Sequence, residues 1–100
     1  MNYSIETLRT FVEAASLKSF SATARKLNKS QSTVSSTIAG FEDDMGFELF
    51  ERKGRESTLT FAGQKVLSLV EDILAADERL QALRIDLSSE MEPRLSCVFS

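Results

Sequence analysis

The sequence predicts a mainly α-helical chain, with three short helices and a small β-hairpin followed by one long helix. Three observations carry this. Apolar residues recur at helical spacing in three segments between positions 4 and 46, each preceded by a Ser. Two β-prone runs then flank a glycine turn at residues 49–59. Between positions 60 and 87 there is no Pro, and the one Gly, Gly63, falls in the first turn. The 100 residues, 42% apolar and 27% charged, make one globular domain's worth of chain. That is too short for the lobes most catalytic clefts need.

Ser4 stands before Ile5, Leu8, Phe11, Val12 and Ala15, the face of a capped first helix ending near Leu17. Lys18-Ser19-Phe20 makes a short connection, and Ser21 is the expected N-cap of a second helix through Leu27. In it Ala24 and Leu27 face inward while Arg25 and Lys26 face out, and Asn28 and Lys29 close it. Ser30 caps a third helix in which Val34, Ile38 and Phe41 share one stripe; it runs to Met45 and stops at Gly46. Two helices joined by a turn of about three residues, the second polar at its start, have helix-turn-helix geometry. Leu49-Phe50-Glu51-Arg52 and Ser57-Thr58-Leu59 flank Lys53-Gly54-Arg55-Glu56, so a hairpin follows directly. The whole is then a winged helix-turn-helix, with Arg52, Lys53 and Arg55 on the wing.

From Thr60, roughly 27 helical residues would extend about 40 Å. Val66, Leu69, Ile73, Ala76, Leu80, Leu83 and Leu87 recur at alternating steps of three and four, a heptad seam that wants a partner helix. The most economical partner is a second copy of the chain. Leu67, Val70 and Leu74 form a second stripe that can pack back on the winged unit. The alternative, that both stripes bury against the same domain, leaves too little protein to cover the far end of the helix. Pro93 ends the pattern, and residues 94–100 read as a strand with nothing left to pair with. The expected organisation is a winged helix-turn-helix domain over 1–60, with the motif at about 20–39 and the wing at about 49–59. A linker and dimerisation helix over 61–89 follows, then a hinge and the start of a truncated further domain over 90–100.

The sequence holds no His, and Cys97 is its single thiol. That excludes Ser/His and Cys/His nucleophile pairs, zinc ligand sets and an internal disulfide, so neither enzymatic activity nor a cofactor or metal is expected. Cys97 is read as a small buried strand residue rather than a redox sensor. No apolar run approaches the roughly 18 residues of a membrane helix, and the N-terminus lacks signal-peptide character. No membrane partner and a reduced cytoplasmic setting are therefore expected. The net charge of −3 argues against nucleic acid only if it is evenly spread. Residues 1–60 hold eight basic and eight acidic side chains, whereas 61–100 hold four and seven. Lys18, Arg25, Lys26 and Lys29 stand with no acid between Glu13 and Glu42. Screening over about 8 to 10 Å lets such a local excess decide what a phosphate feels.

Ser30-Gln31-Ser32-Thr33 opens the third helix and Val34-Ser35-Ser36-Thr37 follows. Its outward face is short hydroxyls plus one Gln. Small side chains allow close approach to a groove, Gln can pair with adenine, and hydroxyls bond to bases and phosphates. Gln31, Ser32, Ser35 and Ser36 are the candidate base contacts. Ser30 serves both as a cap and as a helix start offering N–H groups to phosphate. Lys29 before the helix, and Arg52, Lys53 and Arg55 after it, fall where the sugar-phosphate backbone passes. Glu42, Asp43 and Asp44 lie further along, lifted away from a duplex.

In Leu8-x-x-Phe11, Ser19-Phe20-Ser21-x-x-Ala24-x-x-Leu27, Ser30-Gln31-x-x-Val34-Ser35-x-x-Ile38, Phe41-Glu42, Gly46, Leu49-Phe50-x-Arg52 and Leu59-Thr60-x-Ala62-Gly63, the chain resembles the N-terminal part of a LysR-type transcriptional regulator. The likeness spans roughly residues 3–64. It implies a bacterial winged helix-turn-helix joined by a dimerising linker helix to a two-lobed domain that binds a small-molecule effector. It also implies dimers, often paired into tetramers, on partly palindromic promoter DNA. By resemblance, base reading falls on Gln31, Ser32, Ser35 and Ser36, backbone contacts on Ser21, Ser30 and Thr33, and wing contacts on Arg52 and Arg55. Ser32 stands where the family usually has Pro, Ser36 where Arg is common, Lys29 where an apolar residue is usual, and Phe41 where Leu is expected. The target sequence therefore does not transfer from relatives. The expected function is sequence-specific transcriptional regulation. The alternatives are a winged-helix regulator of another family and a winged-helix interaction module whose long helix is its working surface.

Overall fold

Short hydroxyl side chains begin the helices, and residues in the left-handed region end the first three. The computed structural model describes residues 3–54 and 56–91. In order these form α1 (Ile5–Leu17), α2 (Phe20–Leu27), α3 (Gln31–Met45), β1 (Phe50–Lys53), β2 (Glu56–Leu59) and α4 (Phe61–Met91). Ser4 Oγ accepts from the Thr7 N–H at 3.3 Å, Ser30 Oγ from Thr33 at 3.1 Å and Thr60 Oγ1 from Gly63 at 2.9 Å. Each satisfies a donor that has no partner within its helix. Lys18 (φ 56°), Asn28 (φ 59°) and Gly46 (φ 87°) close α1, α2 and α3. Lys18 pays roughly 1 kcal/mol for a conformation its Cβ disfavours. Its turned carbonyl accepts the Ser57 N–H at 3.1 Å, which ties β2 to the α1–α2 connection.

The start of α2 corrects the sequence expectation. Ser19, not Ser21, is the N-cap, with its Oγ accepting from Ala22 N–H at 3.0 Å. Both serines are competent caps, and burial decides between them. Phe20 is 6% exposed, so the helix must begin early enough to turn that ring inward. Ser21 then lies in the first turn and accepts from Arg25 Nη1 at 3.2 Å.

The core joins Leu8, Phe11 and Ala14 of α1, Phe20 and Ala24 of α2, Val34, Ile38 and Phe41 of α3, and Leu49, Phe50 and Val70. Aromatic rings run through it in tilted and edge-on contacts. Tyr3 and Phe11 each lie 5.4 Å from Phe41 between centroids, Phe11 lies 5.5 Å from Phe50, and Phe50 lies 5.3 Å from Phe20. Such pairs contribute about 0.5 to 1.5 kcal/mol beyond area burial. The buried hydroxyls of Thr10 and Thr23 donate to the Glu6 and Ser19 carbonyls at 2.9 and 2.7 Å, so neither is left unpaired.

β1 and β2 pair antiparallel, with Phe50 opposite Leu59, Arg52 opposite Ser57 and Lys53 opposite Glu56. The strands are therefore shifted from the expected runs. Lys53 and Glu56, read as turn residues, form an oppositely charged cross-strand pair, and Leu49 precedes β1. Leu49 is fully buried, and its carbonyl accepts the Thr60 N–H at 2.9 Å. Gly63 packs against that carbonyl so closely that a Cβ there would lie 2.2 Å from it.

The helix α4 runs 31 residues, a few longer than expected. Val70 is buried and Leu67, Leu74 and Val66 pack on the core, so the second apolar stripe covers the winged unit. Asp77 meets Arg9 at 3.5 Å and accepts from Gln81 Nε2 at 2.8 Å. From there to Leu87 every side chain is exposed. No helix among the described residues is long and apolar enough to cross a membrane. Pro93, the expected strand at 94–100 with Cys97, and Arg55 lie outside the described residues.

Candidate nucleic-acid interface

Because α3 buries Val34, Ile38 and Phe41, its opposite face is presented to solvent. Gln31, Ser32, Thr33 and Ser36 are exposed and Ser35 is half-buried. At the helix start Ser30 Oγ lies 3.2 Å from Ser32 Oγ and 2.8 Å from Thr33 Oγ1. Ser30, Ser32 and Thr33 thus form one hydroxyl network around the cap.

Gln31 also lines a polar cleft with Ser19, Ser21, Arg52, Gly54 and Ser57. The start of α2, the start of α3 and the wing meet there. Three of these residues, Ser19, Gly54 and Ser57, were not among the candidate contacts read from sequence. Ser57 is an ordinary strand serine by pattern, and its burial follows from the tie to Lys18. Arg52 bends inward: its Nη2 donates to Ser35 Oγ at 3.3 Å and its guanidinium lies 4.4 Å from the Phe20 ring centroid.

The basic cluster is less open than the sequence suggests. Lys26 Nζ donates to Glu13 Oε1 at 2.9 Å, and Lys29 Nζ is paired with Glu6. Two of the four cations between Glu13 and Glu42 are therefore met by acids of α1, which lie close in the fold though distant in sequence. Exposed pairs of this kind are worth about 0.2 to 1 kcal/mol and are readily exchanged for phosphate. Lys53 is exposed on β1.

Glu42 has a role the sequence reading missed. Its Oε2 accepts from the backbone N–H groups of Leu49 at 2.7 Å and Phe50 at 3.2 Å, fastening the wing to the end of α3. A carboxylate beside buried Phe41 and just before the Gly46 stop has the reach to meet the next loop, and that was the available clue.

Along α4 the remaining seam is uncovered. Leu69, Leu80 and Leu83 are more than half exposed, and Ile73 and Leu87 are 42% and 38% exposed. Ala76 is exposed and Val66 half-buried. Where the seam meets the core, Tyr3, Met45, Val66, Leu69 and Ile73 line an apolar groove. No group of His, Cys, Asp or Glu among the described residues could hold a metal ion.

Three helices with a polar third-helix face, followed by a hairpin fastened to that helix, define a winged helix-turn-helix protein. Residues 5–64 match the family described as bacterial regulatory helix-turn-helix protein, lysR family, and the chain belongs to it. It is 39% identical over 98 residues to the HTH-type transcriptional regulator AceR of Acinetobacter baumannii, covering 98% of this chain and 33% of AceR. The chain thus spans about a third of that relative's length. Among solved structures, the oxidized form of Corynebacterium glutamicum OxyR superposes with a TM-score of 0.76 at 34% identity, over 84% of this chain and 28% of that one. The CbnR DBD–DNA complex superposes with a TM-score of 0.81 at 27% identity, over 86% and 99%. The family and AceR are regulators and not enzymes.

Proposed function

We propose that this chain is the DNA-binding part of a LysR-type transcriptional regulator that reads promoter DNA with the first turns of α3. The carrying observation is the exposed Gln31, Ser32 and Ser36, with Ser35 beside them, on a helix whose other face is locked into the core. In this reading these four residues meet base edges, and Ser21, Ser30 and Thr33 bond the backbone. Lys29, Arg52, Lys53 and Arg55 supply the flanking positive charge. The likeness to a structure solved with DNA supports it.

The seam Val66, Leu69, Ile73, Ala76, Leu80, Leu83 and Leu87 joins two copies. Its continuity with the apolar groove at the base of α4 supports this. Tetramers are the next level of assembly in the full-length protein. The division at residues 60 and 89, a small-molecule effector acting through a further C-terminal domain, and a cytoplasmic location belong to the same reading. A gel-shift titration on the gene's own upstream region tests it. A saturable, salt-sensitive shift is expected; its absence would favour an interaction module working through α4.

A further inference from the structure

Arg52 joins three elements. It belongs to β1, its guanidinium stacks over Phe20 at the start of α2, and its Nη2 donates to Ser35 of α3. The stacking surface is itself fixed, because Phe20 is buried and stands edge-on to Phe50, 5.3 Å between centroids at 90°. A guanidinium laid on a ring keeps its N–H groups in one plane, aimed outward from its edges. Here one edge is aimed at the Ser35 oxygen.

We infer that Arg52 is a positioning residue that fixes the polarity of the Ser35 hydroxyl, making Ser35 a donor toward DNA that favours bases with a major-groove acceptor and disfavours cytosine, which has none. The inference rests on the DNA-binding reading above. A serine hydroxyl has one proton and two lone pairs, so alone it donates or accepts with little preference. On a helix its proton also has a local use, donation to the carbonyl one turn back. A cation donating into the oxygen occupies a lone pair and polarises the O–H bond so that it donates more strongly. The same charge repels a second positive donor, such as the amino group of cytosine or adenine. What remains favourable in the major groove is an acceptor, namely O6 or N7 of guanine, O4 of thymine or N7 of adenine, whereas cytosine presents only its amino group. A hydroxyl face carrying little information by composition thereby gains direction from the wing.

The test begins with selection from a duplex pool with a randomised core, using the wild-type chain. Its preferred site and single-base variants are then titrated by fluorescence anisotropy with wild type, Ser35→Ala, Arg52→Lys, Arg52→Ala and the Ser35→Ala/Arg52→Ala double variant. A salt series on a scrambled duplex accompanies each. Ser35→Ala and Arg52→Ala should relax discrimination at the same base pair by about three- to tenfold, with the double variant no worse than either alone. In wild type that position should disfavour cytosine against guanine, thymine and adenine. Arg52→Lys should lose the same discrimination yet keep the salt slope, since it retains the charge without the planar fork. Arg52→Lys also covers the case in which Arg52→Ala melts early. Uniform weakening of every duplex by Arg52→Ala, with base discrimination unchanged and effects additive with Ser35→Ala, would make Arg52 a phosphate clamp alone and overturn the inference. So would a wild-type preference for cytosine there. No salt-sensitive binding of wild type to any duplex would instead overturn the DNA-binding reading itself.

Discussion

Gln31 and Glu42 stand near opposite ends of α3 and do different things with it. Gln31 is exposed at the helix start, where a paired amide contact to adenine is worth about 1 to 3 kcal/mol of discrimination. Gln31→Ala should therefore weaken binding to a selected site by that amount and leave a scrambled duplex nearly unaffected, as read by competition titration. Equal losses on both would remove it from base reading. Glu42 acts on the fold, with one carboxylate oxygen accepting two backbone N–H groups. Glu42→Ala should cost about 2 to 3 kcal/mol, seen as a lower urea midpoint at unchanged m-value; an unchanged midpoint would mean those N–H groups are satisfied otherwise. At this scale the helix caps were legible where one Ser stood alone before an apolar stripe, as at Ser4 and Ser30. They were not legible at Ser19 and Ser21, where the burial of Phe20 decides. Nor was Glu42's role, because its partners lie seven and eight residues on, where the loop meets β1 on a path set by the burial of Leu49.

Between elements, α1 moderates the charge that α2 and the turn present. Glu6 holds Lys29, so Glu6→Gln should free one cation, raise affinity for a scrambled duplex and steepen the salt slope by up to about 0.9. An unchanged slope would mean Lys29 lies off the path of the backbone. The wing depends on a close approach of the same kind: Gly63 in α4 lies against the Leu49 carbonyl. Gly63→Ala would drive its methyl into a backbone carbonyl rather than only into a side chain that can move, and should destabilise by about 1 to 3 kcal/mol or more by thermal melting. Helix spacing made α1, α3 and the inner stripe of α4 readable from sequence, because burial and periodicity agree there. The hairpin was found with each strand one residue short at the turn, since Lys53 and Glu56 have turn-like composition and their pairing appears only once the strands face each other. The ion pairs of α1 with α2 and the turn escaped the sequence altogether, because charge counted along the chain does not record which helices touch.

For the whole molecule, α4 is the organising feature, giving it a long axis of 57 Å against 26 and 20 Å. Its first half is fastened to the winged unit through Val70 and the Arg9–Asp77 pair, and its second half carries exposed Leu80, Leu83 and Leu87. Leu80→Asp should give monomers by sedimentation velocity, with weakened binding to a palindromic site; a stable dimer would place the interface elsewhere. In the proposed reading dimerisation matters because Lys26 and Lys29 are already met by acids of α1, so affinity would come from two recognition helices acting together. Whether the polar face of α3 reads duplex DNA is decided by anisotropy titration of the wild-type chain. The two duplexes are the gene's own upstream region and a scrambled one of equal length, across a range of salt. Binding should be saturable, weaken linearly in log–log salt on both duplexes and be tighter on the upstream region at every salt. Equal affinity for the two, or no salt-dependent binding to either, would contradict DNA reading by α3.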